Sequence, residues 1–287
     1  MSRSAASSRR SGSTCAWSAD LALLQTPWNH IGVATLHVVG ADGSVRSVVL
    51  DRVVAGTSPS DDTSGEVFTT VRHPALVVDR AGDHAYVVQP DGPAADVDLE
   101  TLAVSYHDLQ APSSALRRLS AWLTPSAEAK GWWDGPSRYG VWLGDGLIAI
   151  TGGNATMRHD ANGNVDVTDE PSGLTIVDTR DWSVQMVDPG ADWALVSAHL
   201  LLATGGTYGN DVQSGMGLAA YKSDRSLKFR LFGHALVSVE TAVAGRAYVL
   251  PAGLSTVSVV DLRTGRVIGH RRDATMPVPL SDASYGY

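Results

Sequence analysis

The sequence predicts an all-β fold of about five four-stranded units, and three observations carry that expectation. Short aliphatic and β-branched runs, bounded by Gly, Asp, Asn or Ser, recur along the whole chain and read as strands joined in hairpins. A phrase of four such runs returns with a period of roughly 40 to 50 residues, the blade period of propellers. Helical spacing occurs in one stretch, inside residues 110–138.

Residues 1–13 are a Ser- and Arg-rich leader of low complexity, expected to be disordered. The repeats then follow as blades over about residues 14–53, 66–109, 139–188, 193–232 and 234–273. The clearest is the second, where Ala75-Leu-Val-Val78, the turn Arg80-Ala-Gly-Asp83 and Ala85-Tyr-Val-Val88 lead to Ala95-Asp-Val-Asp98 and Ala103-Val-Ser-Tyr106. Radial repetition of four-stranded sheets protects edges that an isolated hairpin pair would expose. Between the second and third blades, Leu116, Leu119, Trp122 and Leu123 lie on one side of a helical insertion over 110–138. Residues 274–287 are a tail or a closing strand, with Pro277 and Pro279 arguing against an interior strand. The expected architecture is a β-propeller of about five blades, or a piece of a larger one.

Composition narrows the function classes. Of 287 residues, 44% are hydrophobic and 18% charged, enough for a large core and not the profile of a disordered chain. A formal net charge of -8 lacks the basic footprint that duplex nucleic acid requires, so no nucleic-acid partner is expected. The one cysteine, Cys15, leaves no pair for a disulfide within the chain. No apolar run reaches the ~18 residues of a membrane span, and no signal-peptide core follows Met1. A cytoplasmic location is the default expectation, and an extracytoplasmic one if the true start lies upstream.

Val97-Asp98, Val177-Asp178 and Val260-Asp261 each precede a tight polar turn into an outer strand, and Trp17-Ser18-Ala19-Asp20 stands where a Ser-Pro-Asp-Gly turn is usual. On these residues the chain resembles the YVTN and WD-repeat-like bacterial β-propeller superfamily over roughly 14–273. The fourth copy has Tyr221-Lys222 and the first Val39-Gly40 at the Val-Asp position. Gly152-Gly153 and Gly205-Gly206, with Trp182 four residues after Asp178, are similar to kelch blades. Such a resemblance implies a fold and hardly any function.

Strand alternation places tight turns on one face of the disc and the long segments 54–70, 110–138, 153–172 and 205–217 on the other, where binding is expected. Candidate ligand-binding residues there are Trp132, Trp133, Tyr208 and Asn210, offering stacking and hydrogen bonding. Asp160, Asn162, Asn164 and Asp166 put oxygen ligands at every second position, as a Ca²⁺ site would, although Asn162-Gly163 also reads as a type I′ hairpin turn. No catalytic residue and no cofactor is predicted. The Gly-rich run 205–217 reads as a flexible loop, since no helix N-terminus follows to make a phosphate cradle. Two functional readings remain. The first is a non-catalytic scaffold that binds a protein, peptide or glycan. The second is a propeller enzyme, either a metal-dependent lactonase-like hydrolase or a quinoprotein-like oxidoreductase subunit, whose ligands would converge from several blades.

Overall fold

The computed structural model describes residues 21–61, 67–110, 133–159, 165–209 and 213–271, and every regular element among them is a β-strand. The leader, most of the insertion 110–138 including its helical stretch, and the tail beyond Arg271 lie outside the described residues.

Sheet I joins β1 (Leu21–Gln25), β2 (Ile31–Val39) and β3 (Val45–Asp61), all antiparallel. Beyond Gly56, β3 runs on and pairs with β4 (Val67–Arg72). Sheet II is a meander of β5 (Ala75–Val78), β6 (His84–Val88), β7 (Ala94–Asp98) and β8 (Val104–His107). Next come β9 (Trp133–Gly144), β10 (Leu147–His159), β11 (Val165–Pro171), β12 (Leu174–Asp178) and β13 (Ser183–Asp188). Of these, β9, β10, β12 and β13 form sheet III, and β11 is a hairpin extension on the far end of β10. Sheet IV holds β14 (Trp193–Ser197) and β15 (Leu200–Thr204), then, after the short hairpin β16 (Gly206–Tyr208) and β17 (Gln213–Gly215), β18 (Leu218–Tyr221) and β19 (Leu227–Leu231). Sheet V is the meander of β20 (Val237–Val243), β21 (Arg246–Pro251), β22 (Val257–Asp261) and β23 (Arg266–Arg271).

The recurrent aspartate has a local cause. Asp98 Oδ1 accepts the Thr101 N–H at 2.7 Å, and Asp261 Oδ1 accepts those of Arg263 and Thr264 at 2.8 and 3.3 Å. Asp178 Oδ1 accepts the Arg180 N–H at 3.1 Å. Each carboxylate closes the turn that sends the chain into the outer strand, as Asp side chains do in Asx turns. Where the pattern lapses, a nearby aspartate substitutes: Asp42 accepts the Ser44 N–H and Asp224 that of Ser226, both at 2.9 Å.

Between each pair of consecutive sheets lies one apolar cluster. Ala85, Val87, Ala95 and Val97 of sheet II meet Leu36 and Leu50 of sheet I, while Ala75, Val77, Tyr86 and Val88 meet Ile148, Ile150 and Val177 of sheet III. Leu174 and Ile176 pack on Leu201, Ala203 and Ala219 of sheet IV. On the opposite face of sheet IV, Leu202, Leu218 and Ala220 pack on Val249 and Val260 of sheet V. Sheets II, III and IV are thus covered on both faces, which is why β15 and β18 read as unbroken apolar runs. Face-to-face stacking of four-stranded meanders in chain order is a propeller-like arrangement. Among the described residues, four clusters serve five sheets, and the outer face of sheet I carries Leu21, Leu23, Val45 and Val49 exposed.

Two sets of paired polar groups tie neighbouring sheets of this stack together. Gln89 is buried, its Nε2 donating to the carbonyls of Arg52 at 2.7 Å and Pro93 at 2.9 Å while its Oε1 accepts the Val54 N–H at 2.9 Å, which ties sheet II to sheet I. Asp188 accepts from the Tyr221 hydroxyl and, at 2.5 Å, from Arg230 Nη2, joining sheet III to sheet IV.

Leu202→Ala, at a position with no exposure, is expected to lower the unfolding free energy by about 2–5 kcal/mol. Val49→Ala, 56% exposed, is expected to change it by no more than about 0.5 kcal/mol, as urea titration of the two variants would show. The turn bonds hold the Asp98 and Asp261 carboxyls below the ordinary carboxylate value of 3.8, through the Thr101 and Arg263 N–H groups respectively. Their stabilisation is therefore present above that value and lost as the pH falls through the lower folded-state value, so the melting temperature should drop on acidification below about pH 4.

Candidate acidic cavity beside the hairpin sheet

Three of the four long segments are largely strands among the described residues, as the hairpin reading of Asn162-Gly163 anticipated for one of them. The continuation of β3 with β4, the far half of β10 with β11, and β16 with β17 are three antiparallel hairpins. They coalesce, because β4 pairs in parallel with β9 and β11 pairs with β16, giving the continuous order β4-β9-β10-β11-β16-β17. The flexible loop expected over 205–217 is in part this β16–β17 hairpin: the alternation of small residues lets its backbone pair where side chains would collide. A Cβ at Gly206 would lie 2.3 Å from the Ser214 carbonyl oxygen.

Register then assembles a site. Gly135, Ala155, Asp169, Tyr208 and Gln213 form one row across β9, β10, β11, β16 and β17. Opposed residues of an antiparallel pair project to the same face, as do residues two apart along a strand. Ser137, Tyr139 and Gly153 therefore share that face with Ala155 and Asp169. Together with His73, Asp192 and Trp193 these residues line a cavity of about 650 Å³.

Backbone bonds fix each contributor. The His73 N–H donates to the Pro136 carbonyl at 3.0 Å and the His73 carbonyl accepts the Arg138 N–H at 2.8 Å, tying the start of sheet II to β9. The Asp192 N–H donates to the Thr204 carbonyl at 3.1 Å, and the Gly206 N–H donates to Asp192 Oδ2 at 3.2 Å. Gly153 leaves room for a carboxylate, since a Cβ there would lie 2.4 Å from Asp169 Oδ1. Gly152 adopts φ +146°, and a Cβ would lie 1.9 Å from the Ser137 carbonyl oxygen, so only glycine lets β9 and β10 close at this point. Arg138, on the opposite face of β9, is buried and donates to the carbonyls of Ser137 and Gly153 and, at 3.1 Å, to Asn154 Oδ1.

The cavity is electrostatically one-sided. Burial pushes the Asp169 carboxyl up, and the Glu170 charge adds to it. Asp169 Oδ1 is buried with no hydrogen-bond partner among the described residues. Burial pushes Asp192 up to about 7, opposed by the Gly206 N–H and reinforced by the Asp169 charge. The phenols of Tyr139 and Tyr208 are raised by burial and by these same two carboxylates. Burial lowers His73, which keeps its imidazole neutral at pH 7. Among the described residues, neither carboxylate belongs to an ion pair.

Of the residues singled out from sequence, Tyr208, 42% exposed, stands opposite Asp169 in the ladder, next to this cavity but not among the residues that line it. Trp133 sits in β9 opposite Thr69 of β4. Trp132 and Asn210 lie outside the described residues, as do Asp160, Asn162 and Asn164 of the Ca²⁺ reading. Asp166 is in β11, paired with Arg158 of β10. Among the described residues no three His, Cys, Asp or Glu side chains converge as a metal-binding group. Asp169, Asp192, Tyr139, Trp193 and the cavity-facing His73 were missed by sequence reasoning. The available signals were carboxylates within β-patterned segments, at Asp169-Glu170 and Asp192-Trp193, where solvated loops do not explain them.

Among the described residues the molecule is all-β, a succession of antiparallel sheets of three or four strands, with an acidic, aromatic-walled cavity on the face of its long hairpins. No protein-family model matches the chain, and no curated protein matches its sequence. Among solved structures it is similar to an acylaminoacyl peptidase of Pyrococcus horikoshii, at 11% identity and TM-score 0.39, over 86% of this chain and 39% of the other. An auxiliary nutrient binding protein of Bacteroides thetaiotaomicron matches at 13% identity and TM-score 0.34, over 84% and 56%. BamB of Moraxella catarrhalis matches at 14% and 0.26, over 88% and 87%. Likeness at this level assigns no activity, and the architecture rests on the strand pairing and packing themselves.

A carboxyl-carbon NMR titration should find Asp192 titrating near pH 7, and Asp169→Asn should move it lower by removing a negative neighbour. Because its folded-state value is raised from 3.8, Asp192 costs stability progressively as the pH rises from about 4 to about 7; Asp192→Asn should abolish that part of the pH dependence.

Proposed function

We propose that the protein is a non-catalytic β-propeller of about five blades that recognises a protein, peptide or glycan through the face bearing its long hairpins. The observation that carries this reading is the construction of that face. Three excursions from different sheets pair into one further sheet. A rigid surface of this kind holds side chains in fixed positions without ordering loops on binding, and so limits the entropic cost of association. Among the described residues the opposite face carries tight turns such as Arg263-Thr264-Gly265.

The enzyme reading retains one supporting feature, the Asp192 carboxyl near neutrality, where general acid–base groups operate. It lacks an identified nucleophile or metal ligand set among the described residues, and the scaffold reading is preferred.

Immobilised protein screened against peptide and glycan arrays should capture ligands whose binding falls about tenfold or more in Tyr208→Ala and is unchanged in Arg263→Ala. Binding that survives Tyr208→Ala and fails in Arg263→Ala would place the recognition surface on the tight-turn face and overturn the proposal.

A further inference from the structure

We propose that the cavity between the hairpin sheet and the start of sheet IV is a receptor for the cationic side chain of a peptide, with Asp169 and Asp192 as its counter-ions, Tyr139 and Trp193 as its aromatic wall and Tyr208 beside it. This rests on the scaffold reading above and specifies which ligand that face takes.

The argument starts from an imbalance. Buried or half-buried charges in folded proteins are ordinarily paired, because a carboxylate removed from water without a partner is costly. Two carboxylates line this one cavity, and the charges acting on them are negative: Glu170 and Asp192 lie near Asp169, and Asp169 near Asp192. Arg138, the guanidinium carried by β9 beside Tyr139, donates to Ser137, Gly153 and Asn154 on its own face. Arg72, at the end of β4, pairs with Asp91 at 2.5 Å. A cation delivered from outside would complete the site.

The chemistry of the wall selects the kind of cation. A hard divalent ion takes six to eight oxygen ligands, of which the two carboxylates supply at most four, and among the described residues no third His, Cys, Asp or Glu joins them as a metal-binding group. An ammonium or guanidinium group needs fewer charged ligands and gains from aromatic faces, most of all Trp and Tyr. Tyr139 and Trp193 line the cavity, and Tyr208 stands opposite Asp169 in the ladder. At about 650 Å³ the space accommodates a long aliphatic stem with its charged head. Asp169 Oδ1, buried and without a hydrogen-bond partner among the described residues, is an acceptor that such a head would satisfy.

The groups facing Asp192 set the pH response. Asp169 of β11 is the other titrating acid. Tyr139 of β9 and Tyr208 of β16 are raised and stay neutral below pH 10, and His73 at the start of sheet II is lowered and neutral at pH 7. Above neutrality the site therefore carries two negative charges, and acidification removes them.

The test is NMR of the full chain with carboxyl-carbon labelling of aspartate, titrated with millimolar blocked pentaglycine peptides whose central residue is Lys, Arg, acetyl-lysine or Gln. The Lys or the Arg peptide, the better one identifying the head group, should shift the Asp169 and Asp192 resonances, while the acetyl-lysine and Gln peptides should not. Affinity for it should fall about tenfold from pH 8 to about pH 5.5, and about tenfold in each of Asp169→Asn and Asp192→Asn. Carboxyl resonances that ignore both cationic peptides, or respond equally to the neutral ones, would overturn the inference. In that event, array ligands still lost in Tyr208→Ala would leave the scaffold reading standing, and their absence would remove both. Folding of the Asn variants is checked by their unchanged amide spectrum away from the cavity, and Tyr139→Phe, which keeps the ring, should retain binding.

Discussion

Burial on both faces is the constraint from which the architecture follows. A four-stranded antiparallel sheet whose two faces are apolar cannot rest against solvent on either side, so each of sheets II, III and IV has to be sandwiched by neighbours. Alternation along a strand then assigns every residue to one neighbour. In β6, Ala85 and Val87 go to sheet I, and Tyr86 and Val88 to sheet III. A register slip of one residue would exchange the two sets, which is why the Asp-closed turns matter: they fix where each outer strand begins.

Stacking in chain order has a consequence at the hairpin face. Sheets that lie face to face bring the far ends of their strands into proximity, and here three of those strands run on into extensions that can pair. The parallel contact of β4 with β9 and the contact of β11 with β16 join excursions that are about 64 and 39 residues apart along the chain. Their pairing converts what would be separate loops into a wall, and the cavity is the space between that wall and the start of sheet IV. Glycines at 152 and 153 belong to the same construction, one permitting the close strand approach and the other leaving volume for the Asp169 carboxylate.

The acidity of this cavity contrasts with the polar groups in the sheet stack. Gln89 and the Asp188–Tyr221–Arg230 cluster are internally satisfied and serve to tie neighbouring sheets together. Asp169 Oδ1 has no hydrogen-bond partner among the described residues and Asp192 accepts only the Gly206 N–H, the contrast on which the proposed ligand site rests.

Strand existence and the aspartate turns were legible in the sequence because they are local: period-two alternation, β-branched runs and Asx turns are decided within a few residues. That the long excursions share one face was legible for the same reason, from segment lengths. That Val67–Arg72 and Val165–Pro171 are strands of a further sheet was not, since joining that sheet depends on pairing with β9 and β16, segments distant in the chain. Nor could the sequence bring Asp169 beside Asp192. They are separated by sheet III strands β12 and β13, and only the stacking of sheet IV on sheet III, driven by Leu174, Ile176, Leu201 and Ala203, places them on one cavity. Local pattern determined the elements of this protein, and the burial of both faces of each sheet, a property of the assembled stack, decided where its charges meet.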